Sequence, residues 1–137
     1  MQTTLFMDKY PTHHLDLPKA ATPFESVDAI IDFFHDKVEQ DPRACQIAVF
    51  DHYAHTRSLP EGEIAEDIRA AKHLVFCFGL KLPNPLAMAP RPRSIGVCEL
   101  EDRFVITFLE APNPIMNETM REWVGELVKI GPVSPSR

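Results

Sequence analysis

The chain has 137 residues, of which 45% are hydrophobic and 25% are charged, a composition typical of one globular domain with a core of its own. Its formal net charge of -6 opposes non-specific contact with a phosphate backbone, so we expect no nucleic-acid partner. No stretch approaches the ~20 apolar residues of a membrane span, and the start of the chain lacks the basic segment of a secretory signal. We therefore expect a cytoplasmic protein with no membrane partner.

The chain contains three cysteines and 13 prolines. An odd cysteine count without a C-x-x-C pair argues against a disulfide framework and favours a reducing compartment. Cys45, Cys77 and Cys98 lie in predicted apolar strands, so we expect small core side chains. The alternative is a Cys77 nucleophile paired with His52 or His55. The prolines separate elements rather than form a linker, which predicts a single globular domain over residues 1–137.

The first third of the chain predicts two short strands and a helix. Thr4–Asp8 and His13–Leu17 are extended pieces on either side of Tyr10-Pro11. The helix is indicated by apolar side chains at helical spacing, namely Val27, Ile30, Ile31, Phe34 and Val38. Two starts compete for it, a capping box at Thr22–Glu25 and a later cap at Ser26.

The middle of the chain alternates apolar and polar segments. Cys45–Phe50 is predicted to be a central strand, and the polar run Asp51–Thr56 follows it directly. The apolar spacing of Ile64, Ile68 and Ala71 then suggests a brief helix. His73–Gly79 is predicted to be another strand. Leu80–Arg93 contains four prolines, which remove backbone donors and predict a long ordered loop.

The last third predicts a hairpin and a helix. Ser94–Leu100 and Arg103–Leu109 are its strands, with Glu101-Asp102 at the turn. The helix is indicated by a stripe of large apolar side chains, namely Met116, Met120, Trp123, Val124, Leu127 and Ile130. Together these elements predict an α+β fold, with an antiparallel sheet of about four to six strands and two main helices packed on one face. A dimer partner or the proline loop is expected to cover the other face.

The run Asp51–Thr56 is the densest group of chemically active side chains. His52, Tyr53 and His55 offer two imidazoles and a phenol at the end of a strand, where a scaffold presents polar groups without disturbing its core. On an extended chain, side chains three apart point to opposite faces, which argues against a metal held by both histidines. We therefore assign no metal ligand, and Asp51 is alternatively the cap of a turn.

The second polar run, Arg91–Ser94, lies in the proline loop. Prolines stiffen this backbone, so Arg91 and Arg93 can be held in position toward a carboxylate or phosphate. The alternative is that both guanidinium groups pair with some of the 20 acidic residues of the chain.

The leading hypothesis is a small domain that binds a small, anionic ligand between the Asp51–Thr56 run and the Arg91–Ser94 loop. In it His52, Tyr53 and His55 supply hydrogen bonds, and Arg91 or Arg93 holds the anionic group. The first alternative is an enzyme that uses His52 or His55 as general base or metal ligand. The second is a homodimeric structural or interaction protein. The sequence identifies no cofactor.

Four segments together resemble a family of small, uncharacterised bacterial proteins known as a domain of unknown function. These segments are Phe50–Thr56, Phe76–Gly79, Arg91–Gly96 and Leu109–Pro114. The resemblance implies a bacterial, cytoplasmic protein of a single domain. It implies no activity, cofactor or catalytic residue.

Overall fold

The computed structural model describes residues 1–132. These residues form six strands and three helices, in the order β1 (Gln2–Phe6), β2 (Tyr10–Pro18), α1 (Val27–Gln40), β3 (Ala44–Asp51), α2 (His52–Ser58), β4 (Ala70–Phe78), β5 (Arg93–Glu99), β6 (Arg103–Leu109) and α3 (Pro114–Lys129). The strands form one antiparallel sheet in the order β1-β2-β6-β5-β4-β3. The predicted α+β fold with a sheet of four to six strands is confirmed.

The two long helices lie on one face of the sheet, which we call the helix face. Of the two predicted starts of α1, the structure uses the later one, because the Ser26 hydroxyl accepts a hydrogen bond from the Ala29 amide at 3.0 Å. Trp123 of α3 lies with its ring centroid 5.6 Å from those of both Phe76 and Phe78 on β4. The core therefore fills the space between the helices and the helix face.

The opposite face of the sheet, which we call the open face, is partly covered by a segment that the sequence did not predict to lie there. Residues 59–69 connect α2 to β4 and cross this face, where Ile64 and Ile68 are half-buried. The predicted helix around these two residues is wrong, because their side chains cover the sheet instead of forming the stripe of a helix. A Cβ at Gly62 would lie 1.9 Å from the Thr56 carbonyl oxygen, so this close approach requires glycine.

Two further boundaries differ from the prediction. The first turn lies at Met7-Asp8, rather than around Tyr10-Pro11, and both residues have positive φ, at 54° and 60°. Two consecutive positive φ angles are typical of the tight turn whose twist suits a hairpin. The run after β3 forms α2 rather than an extended strand end, since the Asp51 carboxylate accepts a hydrogen bond from the Ala54 amide at 2.8 Å.

The hairpin and the last helix follow the sequence closely. β5 and β6 flank a turn at Glu101-Asp102, as predicted. The proline loop contains one short 3-10 turn, Pro85–Met88, and is otherwise irregular. Within residues 1–132, the structure contains no helix with the length and apolar character needed to cross a membrane.

Candidate functional site

The two predicted polar runs lie on opposite faces of the sheet. Arg93 pairs with Phe76 across β5 and β4, and therefore shares the helix face with the core. His73 pairs with Gly96, three residues further along the same ladder, so its side chain lies on the open face. His52 of α2 contacts His73. Instead of bounding one shared pocket, as the sequence suggested, the two runs line two separate cavities.

The first cavity, here called the Arg93 cavity, opens at the end of the sheet where the proline loop meets the start of α3. Its volume is about 440 Å³, within the range of small-molecule sites. Most of its lining is apolar, and the polar exceptions are Asn84, Arg91, Arg93 and Asn113. The apolar lining consists of Phe78, Leu86, Ala87, Pro90, Ala111, Pro112 and Met116.

Arg93 lines this cavity with a charge that the described residues do not balance. Its side chain is only 9% exposed, and no carboxylate of residues 1–132 lies within 4.0 Å of it. Its guanidinium donates to the carbonyl oxygens of Pro90 and Leu109, while its Nε is buried without a partner. Burial lowers the pKa of Arg93, but an arginine stays charged in proteins.

The other polar side chains of the cavity also offer donors. Arg91 is half-buried and donates one hydrogen bond to the Lys81 carbonyl oxygen at 2.6 Å. The amide oxygens of Asn84 and Asn113 accept backbone hydrogen bonds from Ala87 and Ile115. Each asparagine therefore has its amide NH₂ group left as a donor. An apolar cavity with donors and an unbalanced positive charge suits a ligand with an anionic group and an apolar body.

The second cavity, here called the His73 cavity, lies between the open face and residues 59–69. It encloses about 310 Å³. Isoleucines of the covering segment and Val97 form much of its apolar wall. Its polar lining consists of His52, Tyr53, Thr56, Glu63, Lys72, His73, Cys98 and Thr107.

A pair of histidines is the chemically distinctive feature of this cavity. His52 Nδ1 and His73 Nε2 lie 3.1 Å apart. Burial lowers the pKa of His73, and the nearby His52 lowers it further. His73 Nδ1 is buried without a partner. A Cβ at Gly96, opposite His73, would lie 3.2 Å from the Thr107 hydroxyl oxygen and 3.5 Å from that nitrogen, so a larger side chain there would crowd the pair.

The remaining predicted candidates lie outside both cavities. His55 is exposed on α2, with its ring centroid 5.5 Å from that of Phe50, and it lines neither cavity. Cys77 lines neither cavity, and its thiol donates weakly to the Phe78 carbonyl oxygen at 3.7 Å. Among residues 1–132, no three histidine, cysteine or acidic side chains converge on a point that a metal could occupy.

Sequence reasoning missed some of the residues that form these cavities. Gly96 and Thr107 became relevant only when strand pairing placed them beside His73. The asparagines of the Arg93 cavity gave a weak signal, because Asn84 and Asn113 each precede a proline, as residues that cap a helical turn often do. Strand register therefore decides the composition of the His73 cavity.

Comparisons with known proteins give a family and no activity. The model of a family described as "Family of unknown function (DUF6858)" matches residues 1–129. The resemblance to a domain of unknown function is thereby confirmed. The chain matches no curated protein and no solved structure.

Proposed function

The chain belongs to this family of unknown function, and from the chemistry of its cavities we propose that it binds a small organic anion in the Arg93 cavity. The observation that carries the proposal is the buried guanidinium of Arg93, which faces an apolar cavity with carbonyl oxygens as its acceptors. Burying a charge without an opposite charge costs free energy. A bound carboxylate would offset that cost and accept two parallel hydrogen bonds.

The apolar lining defines the rest of the ligand. Phe78, Leu86 and Met116 offer aromatic and aliphatic surface and no hydrogen-bond donor in their side chains. A fully hydrophilic anion, such as inorganic phosphate, would leave this surface in contact with water, so burial of apolar area would not contribute to its affinity. A monocarboxylate with an aromatic or aliphatic body would bury apolar area against it, at roughly 25 cal/mol per Å². We therefore propose an apolar monocarboxylate as the class of ligand.

The proposal is tested with two probes that share an apolar body and differ only in the polar group, the carboxylate 4-phenylbutyrate and the neutral amide 4-phenylbutyramide. Binding of each to the full chain is followed by calorimetry at neutral pH. We expect the carboxylate to bind about 10- to 100-fold more tightly, because a hydrogen bond to a charged group contributes about 1.5–3 kcal/mol. Equal affinities for the two probes, or binding of neither, would contradict the proposal.

A second candidate function is supported by the histidine pair. With its proton on Nδ1, His52 can donate to His73 Nε2 and keeps Nε2 as an acceptor, and burial lowers the pKa of His73, which favours the ring that accepts this hydrogen bond. His73 would thus orient His52, whose exposed ring lines the His73 cavity. This is the arrangement of a general base and its positioning residue. It corresponds to the predicted alternative of a histidine-dependent enzyme.

Hydrolysis of 4-nitrophenyl acetate tests this candidate, since a general base contributes about 10²–10⁴-fold to such reactions. We expect His52→Gln to lower the rate of the full chain at least ~10-fold. His55→Gln is the matched control, because it removes an exposed histidine from the same helix. If both variants lower the rate equally, the activity belongs to surface imidazoles and the candidate fails. The homodimer and the cytoplasmic location remain predictions.

A further inference from the structure

Two cysteines lie directly opposite each other on the open face, on the other side of the sheet from the Arg93 side chain. Cys45 of β3 pairs directly with Cys77 of β4 in the antiparallel ladder. The adjacent pair, Ala44 and Phe78, packs against the core of the helix face. Since successive side chains of a strand alternate, both thiols lie on the open face. The sequence predicted core side chains for all three cysteines, whereas Cys45 is exposed and Cys77 half-buried.

The spacing of paired strands brings these residues within reach of a covalent bond. Directly opposite residues of an antiparallel pair have Cα atoms about 4.5–5.5 Å apart. A disulfide spans Cα separations of about 4.4–6.8 Å. A β-bulge between Gln46 and Ala48 follows at once along β3. Because a bulge interrupts the ladder and bends its strand, it gives this part of β3 more freedom to adjust than regular pairing would.

The third cysteine provides an internal contrast. Cys98 of β5 pairs with Ala71 on one side and Val105 on the other, so no cysteine lies opposite it. Burial raises the pKa of the Cys98 thiol. A higher pKa means less thiolate, which is the reactive form. Cys98 is therefore the natural reference for any reaction of the paired thiols.

We propose that Cys45 and Cys77 form a reversible dithiol–disulfide site that reacts with small disulfides such as oxidised glutathione. The Cys45 thiolate, which is the more exposed, attacks one sulfur of glutathione disulfide, forming a mixed disulfide and releasing one glutathione thiolate. The Cys77 thiolate then attacks the Cys45 sulfur, forming the Cys45–Cys77 disulfide and releasing the second glutathione. The two thiol protons end on the two reduced glutathione molecules.

The bond would act on a particular part of the fold. β3 is an edge strand that is hydrogen-bonded to β4 alone within the described sheet. It runs directly into α2, whose first residue is His52. A covalent tie between β3 and β4 would hold this edge against local opening, which is easiest at strand edges. The ratio of thiols to disulfides in the cell would thus set how firmly β3 is held beside α2, which carries His52.

The test uses the folded full chain, incubated with oxidised and reduced glutathione at defined ratios and then alkylated with N-ethylmaleimide in urea, so that the half-buried Cys98 also reacts. We expect intact-mass analysis to show one maleimide adduct in the oxidised protein, at Cys98, and three in the reduced protein. Peptide mapping should join the peptides that contain Cys45 and Cys77. Cys98→Ser should still form the internal disulfide, whereas Cys45→Ser and Cys77→Ser should stop at a glutathione adduct.

Two results would overturn the proposal. One is a folded protein that accumulates glutathione adducts at Cys45 and Cys77 without an internal disulfide. The other is an internal disulfide that includes Cys98 as often as the paired thiols. The same incubation in concentrated urea is the unfolded control, in which strand register no longer determines which cysteines pair. A preference for the Cys45–Cys77 disulfide in the folded protein alone would therefore come from the pairing of β3 with β4.

Discussion

Replacing Arg93 by methionine should weaken carboxylate binding about 100-fold and at the same time stabilise the ligand-free protein. The guanidinium is only 9% exposed and has carbonyl oxygens as its described acceptors. Methionine keeps much of the length of the side chain and removes the buried charge. Replacing a buried ion pair by apolar groups of similar size is often neutral or stabilising by about 1–4 kcal/mol, and a buried charge without a partner lacks even the attraction that offsets its desolvation. The carbonyls of Pro90 and Leu109 lose a donor, so we expect a net gain near ~1 kcal/mol.

The prediction is specific because affinity for the carboxylate should fall while the free energy of unfolding should rise. Urea denaturation measures the free energy of unfolding without ligand, and calorimetry with 4-phenylbutyrate measures affinity, which we expect to fall about 100-fold. Arg91→Met should weaken binding less, because that side chain is only half-buried. Arg57→Met is the matched control, since it removes an exposed charge of α2 and should change stability by less than about 0.5 kcal/mol. A destabilised Arg93→Met protein that still binds the carboxylate would show that Arg93 serves the fold.

The sequence identified Arg93 as a candidate but did not predict its surroundings, because Arg93 lies at the boundary of a strand. An arginine between prolines predicts a stiff loop with a positive charge. In the structure, Arg93 is instead the first residue of β5, one position before the predicted start at Ser94. As a strand residue, Arg93 pairs with Phe76 of β4 and its side chain lies on the helix face. Strand boundaries depend on tertiary pairing, which the local sequence does not encode.

The β-bulge of β3 shows a similar limit. Cys45 and Phe50 are five residues apart, so regular alternation would place them on opposite faces. The bulge between Gln46 and Ala48 reverses this alternation, and both residues pair with open-face partners. Periodic signals were reliable in the long helices and the last hairpin, and they failed at Ile64 and Ile68, where the chain lies across the open face. The α1 stripe and the turn of the last hairpin both followed the sequence.

Lowering the pH from about 7.5 to about 5 should destabilise the protein, and the buried histidines should account for the loss. Burial lowers the pKa of His13, and Arg121 lowers it further, against an opposing effect of Glu110. Burial also lowers the pKa of His73. In the unfolded chain both histidines take up a proton near their ordinary value of 6.5. The unfolded state therefore binds more protons below that pH, and stability present above it is lost as the pH falls.

The surroundings of His13 explain why it resists protonation. Its ring is 3% exposed and stacks on Phe108 with centroids 4.9 Å apart. Its Nδ1 lies 2.9 Å from Arg121 Nη1, which can only donate, so this nitrogen must accept. Protonation of His13 would place an Nδ1–H donor against the donating Nη1 of the positively charged Arg121. The carboxylate of Glu110, 3.5 Å from Nε2, opposes this effect but is partly exposed to solvent.

Two further side chains face the His13 ring, one beside each nitrogen. Asn117 Nδ2 lies 3.3 Å from the imidazole Nε2, and the Asn117 oxygen already accepts from the Ala111 amide. The Thr3 hydroxyl lies 3.0 Å from Nδ1 and can turn to donate. Because Nδ1 accepts, the neutral ring carries its proton on Nε2, and the Asn117 amide group meets an N–H there in either protonation state. The donors beside Nδ1 are therefore the ones that favour the neutral ring. The network thus joins β1, β2 and α3 through a ring that is stable as long as it remains uncharged.

Urea midpoints of the full chain at the two pH values measure this dependence. His13→Gln and His73→Gln should each reduce the loss of stability between pH 7.5 and 5, because neither glutamine titrates, and the double variant should reduce it most. His55→Gln, which replaces an exposed ring, should retain the wild-type loss. The pKa of Asp41 is lowered by its hydrogen bond to Arg43 from 3.8, so that carboxylate loses its stabilising effect only at more acidic pH. If the double variant loses as much stability as the wild type between pH 7.5 and 5, the histidines are not the cause and carboxylates such as Asp41 are. The two explanations also differ in the pH at which stability falls.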